Sequence, residues 1–433
     1  MEISKLKLCT TLLLLVIAGI VMTGCNRPIT RAAESGGPVP CEIALTPHQG
    51  SESIDLEISR LQTEARNSTA PGSLMERLGW TFVQKARVSY DPGYYKLAES
   101  CAACMDSLQQ EGPEALLLRG HVMNSLHRFK EAEAAARKLV ATRGLPFDYG
   151  LLGDALMEQG ALNEAIEAYQ KMIDMKPGPQ AYSRAAHVRW LKGDLSGAIE
   201  LMRMAASSGS PRDGESAAWA YSRLANYELQ AGAMKRARQA CESALMFKQD
   251  YAPALLVRGR MLAAEQKYAE AIESLKRAAQ ANPLPEYQWA LADALRTSGN
   301  TEEADRVEGD LMGRGEAADP RTFALYLATR RERIEQALEL AHRELETRAD
   351  VFTLDAVAWS LAAAGKNTEA RSRINAALAE GTADARLFYH AGVIAAMNGQ
   401  KVEARQWLGK ASSIRQMLMP SEREQLSKQL AAL

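Results

Sequence analysis

A small residue returns along this 433-residue chain at a nearly fixed interval, and a rhythm of that length builds a repeat array. Alanine recurs at Ala98, Ala132, Ala165, Ala198, Ala237, Ala271, Ala304, Ala337, Ala370 and Ala404, by subtraction 34, 33, 33, 39, 34, 33, 33, 33 and 34 residues apart. Twelve residues before each mark a second small residue is usual: Gly120, Gly153, Ala186, Ala225, Gly259, Ala292, Ala358 and Gly392, with Leu325 the departure. Five residues before it a glycine is common, at 160, 193, 232, 299, 365 and 399, where a left-handed residue would end a helix. Two antiparallel helices of ~12–14 residues with two short turns make a unit of about this length. Small residues on both helices let the backbones approach to the lower part of the ~8–10 Å packing range. Seven residues after the mark, Met172, Ala205, Ala244, Ala278, Ala377 and Ala411 are placed to meet the next unit. One unit cannot bury its own apolar face, so the units must stack.

These marks resemble the tetratricopeptide repeat. Two copies are clearest: Phe147 to Pro177, with Tyr149, Gly153, Gly160, Ala165 and Tyr169, and Ala252 to Pro283, with Leu255, Gly259, Tyr268, Ala271 and Ala278. The resemblance runs from about Leu74 to Ser412. It implies an all-α, right-handed superhelical solenoid of about ten helix-turn-helix repeats. The units around Ala304 and Ala337 match least, since Glu308 and Glu344 stand where apolar residues are usual. Gly309 to Asp319 reads as a longer join, so a local irregularity is expected there. Two insertions break the rhythm, one through Tyr90-Asp91-Pro92-Gly93 and one at Ser207 to Gly214, both loops by composition. The domain reading is a targeting segment over 1–24, a tether over 25–50, an N-terminal capping helix within 51–73, the array over 74–412, and a C-terminal capping helix within 413–433. Ser53 to Arg66 supplies the leading helix, and Pro420-Ser421-Glu422 opens the trailing one.

The chain begins with Lys5, Lys7 and an apolar stretch from Leu8 to Met22, the pattern of an export signal too short to span comfortably. It ends in Met22-Thr23-Gly24-Cys25, which resembles the bacterial lipobox. That resemblance implies cleavage before Cys25, a diacylglyceryl group on its thiol and an acylated amino terminus. More than one acyl chain gives stable membrane anchoring. By the same resemblance Asn26 leans towards the outer membrane, facing the periplasm. Prolines 28, 38, 40 and 47 and Gly36-Gly37 mark the following stretch as a tether.

Chemistry is sparse. With 52 basic against 53 acidic residues, no cationic excess argues for nucleic acid. The six histidines form no ligand pair at helical spacing, and no phosphate loop or nucleophile elbow occurs, so no metal, cofactor, small-molecule substrate or catalytic residue is expected. Cys101-Ala102-Ala103-Cys104 admits three readings: small buried residues at a helix contact, a disulfide within the pair or to Cys41, or a redox pair. Cys241 reads as packing.

In the resembled family, ligand contacts come from the first helix of each unit, on the concave face. Carried onto this register, those positions hold Trp190, Trp219, Trp289, Trp359, Tyr326 and Tyr389, together with Ser183, His187, Asn226, Arg260, Asp293, Asp355 and Arg330. Tryptophan and tyrosine dominate protein-binding energetics, which suggests a groove for protein partners, although each ring could equally fill a gap between units. The carboxylate clamp known in the family has no counterpart at Ser183-His187, Ser222-Asn226 or Leu256-Arg260. The leading functional reading is an envelope adaptor or scaffold. The alternatives are an integral subunit of an envelope assembly or secretion machine and, least, an enzyme.

Overall fold

The computed structural model describes residues 39–108, 112–210 and 213–433; the signal, Cys25 and the start of the tether lie outside them. Among the described residues the chain is helical throughout, with no strand. The first helices of the units are α3 (Gly72–Ser89), α5 (Pro113–Ser125), α7 (Pro146–Glu158), α9 (Pro179–Leu191), α11 (Gly214–Gln230), α13 (Ala252–Ala264), α15 (Pro285–Thr297), α17 (Pro320–Arg330), α19 (Val351–Ala363) and α21 (Ala385–Met397). Their partners are α4 (Gly93–Ser107), α6 (Phe129–Thr142), α8 (Leu162–Met175), α10 (Leu195–Ser207), α12 (Met234–Phe247), α14 (Tyr268–Ala281), α16 (Thr301–Ala318), α18 (Ile334–Thr347), α20 (Asn367–Leu378) and α22 (Lys401–Ser413). Ten stacked pairs result, as the rhythm predicts. Before them stand α1 (Pro40–Ala44) and α2 (Ser53–Asn67); after them come a 3-10 turn at Arg415–Met417 and α23 (Pro420–Ala432).

The periodic residues do what their size allows. All ten marker alanines have 0% exposure. A Cβ added at Gly153 would lie 2.3 Å from Tyr169, and one at Gly259 would lie 2.5 Å from Leu275, so these contacts require glycine. Several first helices open on proline, whose fixed φ and missing N–H suit the first helical position.

Three expectations are corrected. Gly309 to Asp319 is not a join: α16 continues to Ala318, with Leu311 buried and Gly315 giving room to the ring of Phe323. The irregularity falls instead at the next turn, where Arg331 and Arg333 both take left-handed φ of 56° and 46°. The first insertion is not mainly a loop either. It lengthens α3 to 18 residues, against 13 for α5, and Tyr90 makes a tight left-handed turn. The second stands as expected between α10, which ends at Ser207, and α11, which opens at Gly214 and runs to 17 residues. Finally, the tether is structured at its end. Cys41 in α1 is disulfide-bonded to Cys104, and the Gln62 amide donates to the carbonyls of Ala44 and Thr46 at 3.1 and 2.7 Å. The free thiols of Cys101 and Cys241 are buried.

Stacking alone does not account for the packing, because successive turns of the solenoid touch. The Ala349 amide donates to the Glu158 carbonyl at 3.1 Å, and Arg348 pairs with Glu158 at 2.7 Å. Lys192 pairs with Glu380, and the Thr382 hydroxyl donates to the Leu191 carbonyl, both at 2.5 Å. Gln416 donates to the Leu229 carbonyl at 3.0 Å, and Arg423 to that of Ala263 at 2.8 Å. In order, then, the ends of α7, α9, α11 and α13 meet the approaches to α19 and α21, the 3-10 turn, and α23. The units of α7 and α9 thus rest on units that follow six places later, and those of α11 and α13 on the segment after the array.

Gly160 isolates this closure. Its φ is +81°, and a Cβ there would meet the Ala349 carbonyl oxygen at 2.5 Å; Gly299 has φ +88° with nothing within 4 Å. Alanine at either site should carry a similar left-handed penalty, on the order of 1 kcal/mol. Gly160→Ala should cost about 1–2 kcal/mol more than Gly299→Ala in denaturant unfolding, from the overpacked contact. Equal losses would mean the turns do not touch in solution.

Candidate functional site

Touching turns leave little open groove, and the sequence-predicted site residues are distributed accordingly. Trp190 is buried: its Nε1 donates to Gln230 Oε1 at 2.7 Å, and its ring stacks 5.6 Å from Phe352 of a later unit. Trp289 is buried beneath the Arg386 guanidinium, 4.7 Å from the ring centre, and is met edge-on by the buried Tyr326. Trp359 stacks on His390 at 4.0 Å beside the buried Tyr389, and His390 pairs with the buried Asp355 at 2.9 Å. Asp293, also buried, accepts from the Ser421 amide at 3.2 Å. Arg260 pairs with Glu286 at 2.8 Å, and the exposed Arg330 with Glu332 at 3.3 Å. Asn226 is half-buried on α11. Five of the six aromatic candidates are therefore interior packing, not a displayed stripe. Folding places a later turn of the chain where an open groove would be.

The remaining three, Ser183, His187 and Trp219, come together around a cavity of about 1160 Å³. It lies among α3, α5, α7, α9 and α11. The two long first helices enclose it: the C-terminal end of α3 reaches the N-terminal end of α11, where Arg87 pairs with Glu215, and Lys248 donates to the Val88 carbonyl at 3.0 Å. Both departures from the 33–34-residue rhythm thus border this one space. Its apolar lining includes Trp80, Leu117, Phe147, Leu151, Met157 and Trp219. Trp219 keeps 37% of its surface exposed and Phe147 43%, so large rings are available at the cavity.

The polar lining is mostly committed to internal pairs. Arg184 donates to both oxygens of Asp154 at 2.7 and 2.6 Å, and the Tyr169 hydroxyl donates to the same carboxylate at 2.9 Å. Ser183 donates to the Gln180 carbonyl at 3.2 Å. His121 tilts against Trp80 at 5.3 Å. Burial pushes the His121 imidazole down to about 4; burial, aided by the Arg223 charge, pushes that of His187 down to about 3, so both rings are neutral at ordinary pH. A neutral ring can donate and accept, which suits recognition of a polar group brought in by a partner. Trp80, Arg223, Arg184, Asp154 and His121 were absent from the sequence-derived set. The spacing breaks were the signal that could have found them, since extra residues in a regular array mark where it departs from mere stacking.

The sequence profile of the tetratricopeptide repeat matches residues 125–182, 151–211, 254–304 and 356–412. The matched segments are tetratricopeptide repeats. Among curated proteins none matches this chain significantly. Among solved structures, the crystal structure of MamA is 21% identical with a TM-score of 0.31, covering 38% of this chain and 94% of that one. A human IFIT1 dimer with PPP-AAAA is 12% identical with a TM-score of 0.46, covering 87% and 94%. The Cut9–Hcn1 hetero-tetramer is 12% identical with a TM-score of 0.37, covering 87% and 90%. These likenesses are ones of fold.

Proposed function

We propose that this protein is an exported, lipid-anchored scaffold that captures other proteins in the α3–α11 cavity. The observation that carries the reading is the cavity itself. It is built by first helices of tetratricopeptide repeats, edged by partly exposed Trp219 and Phe147, and bordered by both insertions in the array. Large rings at a concave, partly apolar site are the usual anchors of protein recognition. Export is supported by the signal-like start and by the Cys41–Cys104 disulfide, a bond that persists in oxidising compartments and is rare in the cytosol. Lipid attachment at Cys25, and the lean towards the outer membrane, rest on the sequence around that residue. Most of the cavity's charged groups, Arg184 with Asp154 and Arg87 with Glu215, are held in pairs, which favours a binding role over an enzymatic one.

A photo-crosslinking residue at position 219, compared in cells with one at the exposed Met246 on α12, tests the site. Defined adducts should form at 219 and not at 246. The same adducts at both positions, or none at 219, would remove the cavity from the reading. Palmitate labelling of the protein and of Cys25→Ser tests the anchor, with label expected on the former alone.

A further inference from the structure

Among the described residues three arginines line the cavity, and two of them are met by an acidic side chain of the chain itself. Arg184 is forked onto Asp154, and Arg87 pairs with Glu215. Arg223 is met by neutral groups. Its Nη2 donates to His187 Nδ1 at 3.1 Å and to the Tyr227 hydroxyl at 3.3 Å, and its guanidinium lies 5.3 Å from the Tyr227 ring centre. Among the described residues no carboxylate pairs with it. Asp350, whose field reaches His187, is held by Arg321 at 2.9 Å.

The contact fixes the histidine's tautomer. A guanidinium has no acceptor, so His187 Nδ1 must be the acceptor and the ring proton sits on Nε2. His187 lines the cavity, so this Nε2–H is a second donor beside the remaining guanidinium N–H groups. Among the described residues Arg223 and His187 therefore offer several donors and a single positive charge, since the imidazole is neutral. That balance suits a monoanion. A phosphate dianion would leave excess charge in largely apolar surroundings.

We infer that Arg223 and His187 form a carboxylate-recognition site, completed by an acidic side chain on the polypeptide segment that enters the cavity. This rests on the cavity being the partner-binding site. The occupant follows from charge complementarity and from the precedent of the neighbouring arginines: each takes one Asp or Glu side chain, and Arg223 is the one to which the described residues supply none. Arginine meets a carboxylate through a fork that a point charge does not reproduce. Trp219 stands one helical turn before Arg223 on the same face of α11, so an apolar side chain beside the acidic one has a ring to pack on.

The test uses the full chain and two probes, N-acetyl-Phe-Glu-Phe-amide and its Gln counterpart, titrated by calorimetry. The Glu peptide should bind the wild type at least tenfold tighter, as expected for a charge-assisted hydrogen bond. Arg223→Gln should erase that preference with the helical melting transition retained. If that variant fails to fold, Arg223→Lys is read instead: a preference reduced severalfold supports the fork, and an unchanged preference overturns it. Equal binding of the two peptides, binding of neither up to millimolar concentration, or a preference surviving Arg223→Gln also overturns the inference. So does N-acetyl-Phe-Gln-Phe with a free carboxyl end matching the Glu peptide, because the carboxylate would then belong to a chain terminus. Adducts at position 219 would persist through any of these failures, so loss of the carboxylate site and loss of the cavity as a docking site are separable.

Discussion

Trp359→Ala should lower the free energy of unfolding by about 3–5 kcal/mol, the range for removing a large buried aromatic. The ring is 9% exposed, stacks on His390 at 4.0 Å, and donates from Nε1 to Thr329 Oγ1 at 3.0 Å. Truncation would leave a cavity over the buried His390–Asp355 pair and deprive Thr329 of its donor, so transfer and polar costs add. Denaturant unfolding followed by circular dichroism measures the loss. A change below about 1 kcal/mol would place the ring on the surface and restore the open groove that the sequence suggested. The form of the transition matters as well. An open repeat array unfolds with contacts only between neighbours, and its cooperativity fades with length. Here Arg348–Glu158 and Lys192–Glu380 tie units about six apart, so one concerted transition across α7 to α21 is expected.

The second large effect concerns the Cys41–Cys104 bridge, which joins residues 63 apart in sequence. Closing a loop of that length restricts the unfolded chain by an amount worth about 4 kcal/mol in the chain-entropy treatment. The bridge holds α1, a helix of 5 residues with a single buried residue, which has little packing of its own. Reduction, or Cys104→Ser, should therefore act first on α1 to α4. Hydrogen exchange there should accelerate on the order of 100-fold or more, while α13 to α21 stay protected. Unchanged exchange after reduction would show that Gln62 and the α2–α3 packing hold this end unaided. Reshuffling is disfavoured, because burial pushes the Cys101 thiol well above the usual thiol range and removes the reactive thiolate.

Read along the chain, the sequence alone determined the local design. A marker alanine with no exposed surface in every unit and left-handed glycines at the turns follow from side-chain size and backbone sterics, which act over a few residues and leave a periodic trace. The binding surface was harder to read. Trp190, Trp289 and Trp359 stand on first helices as Trp219 does, yet of the four only Trp219 reaches the cavity: Trp190 and Trp289 are covered by Phe352 and Arg386 from later units, and Trp359 by His390 of the next one. Which turn covers which ring depends on the pitch of the superhelix. Pitch sums many small rotations between units, so no single residue encodes it. Local periodicity fixed the stack; the closure of one turn upon another decided which residues remain free to meet a partner.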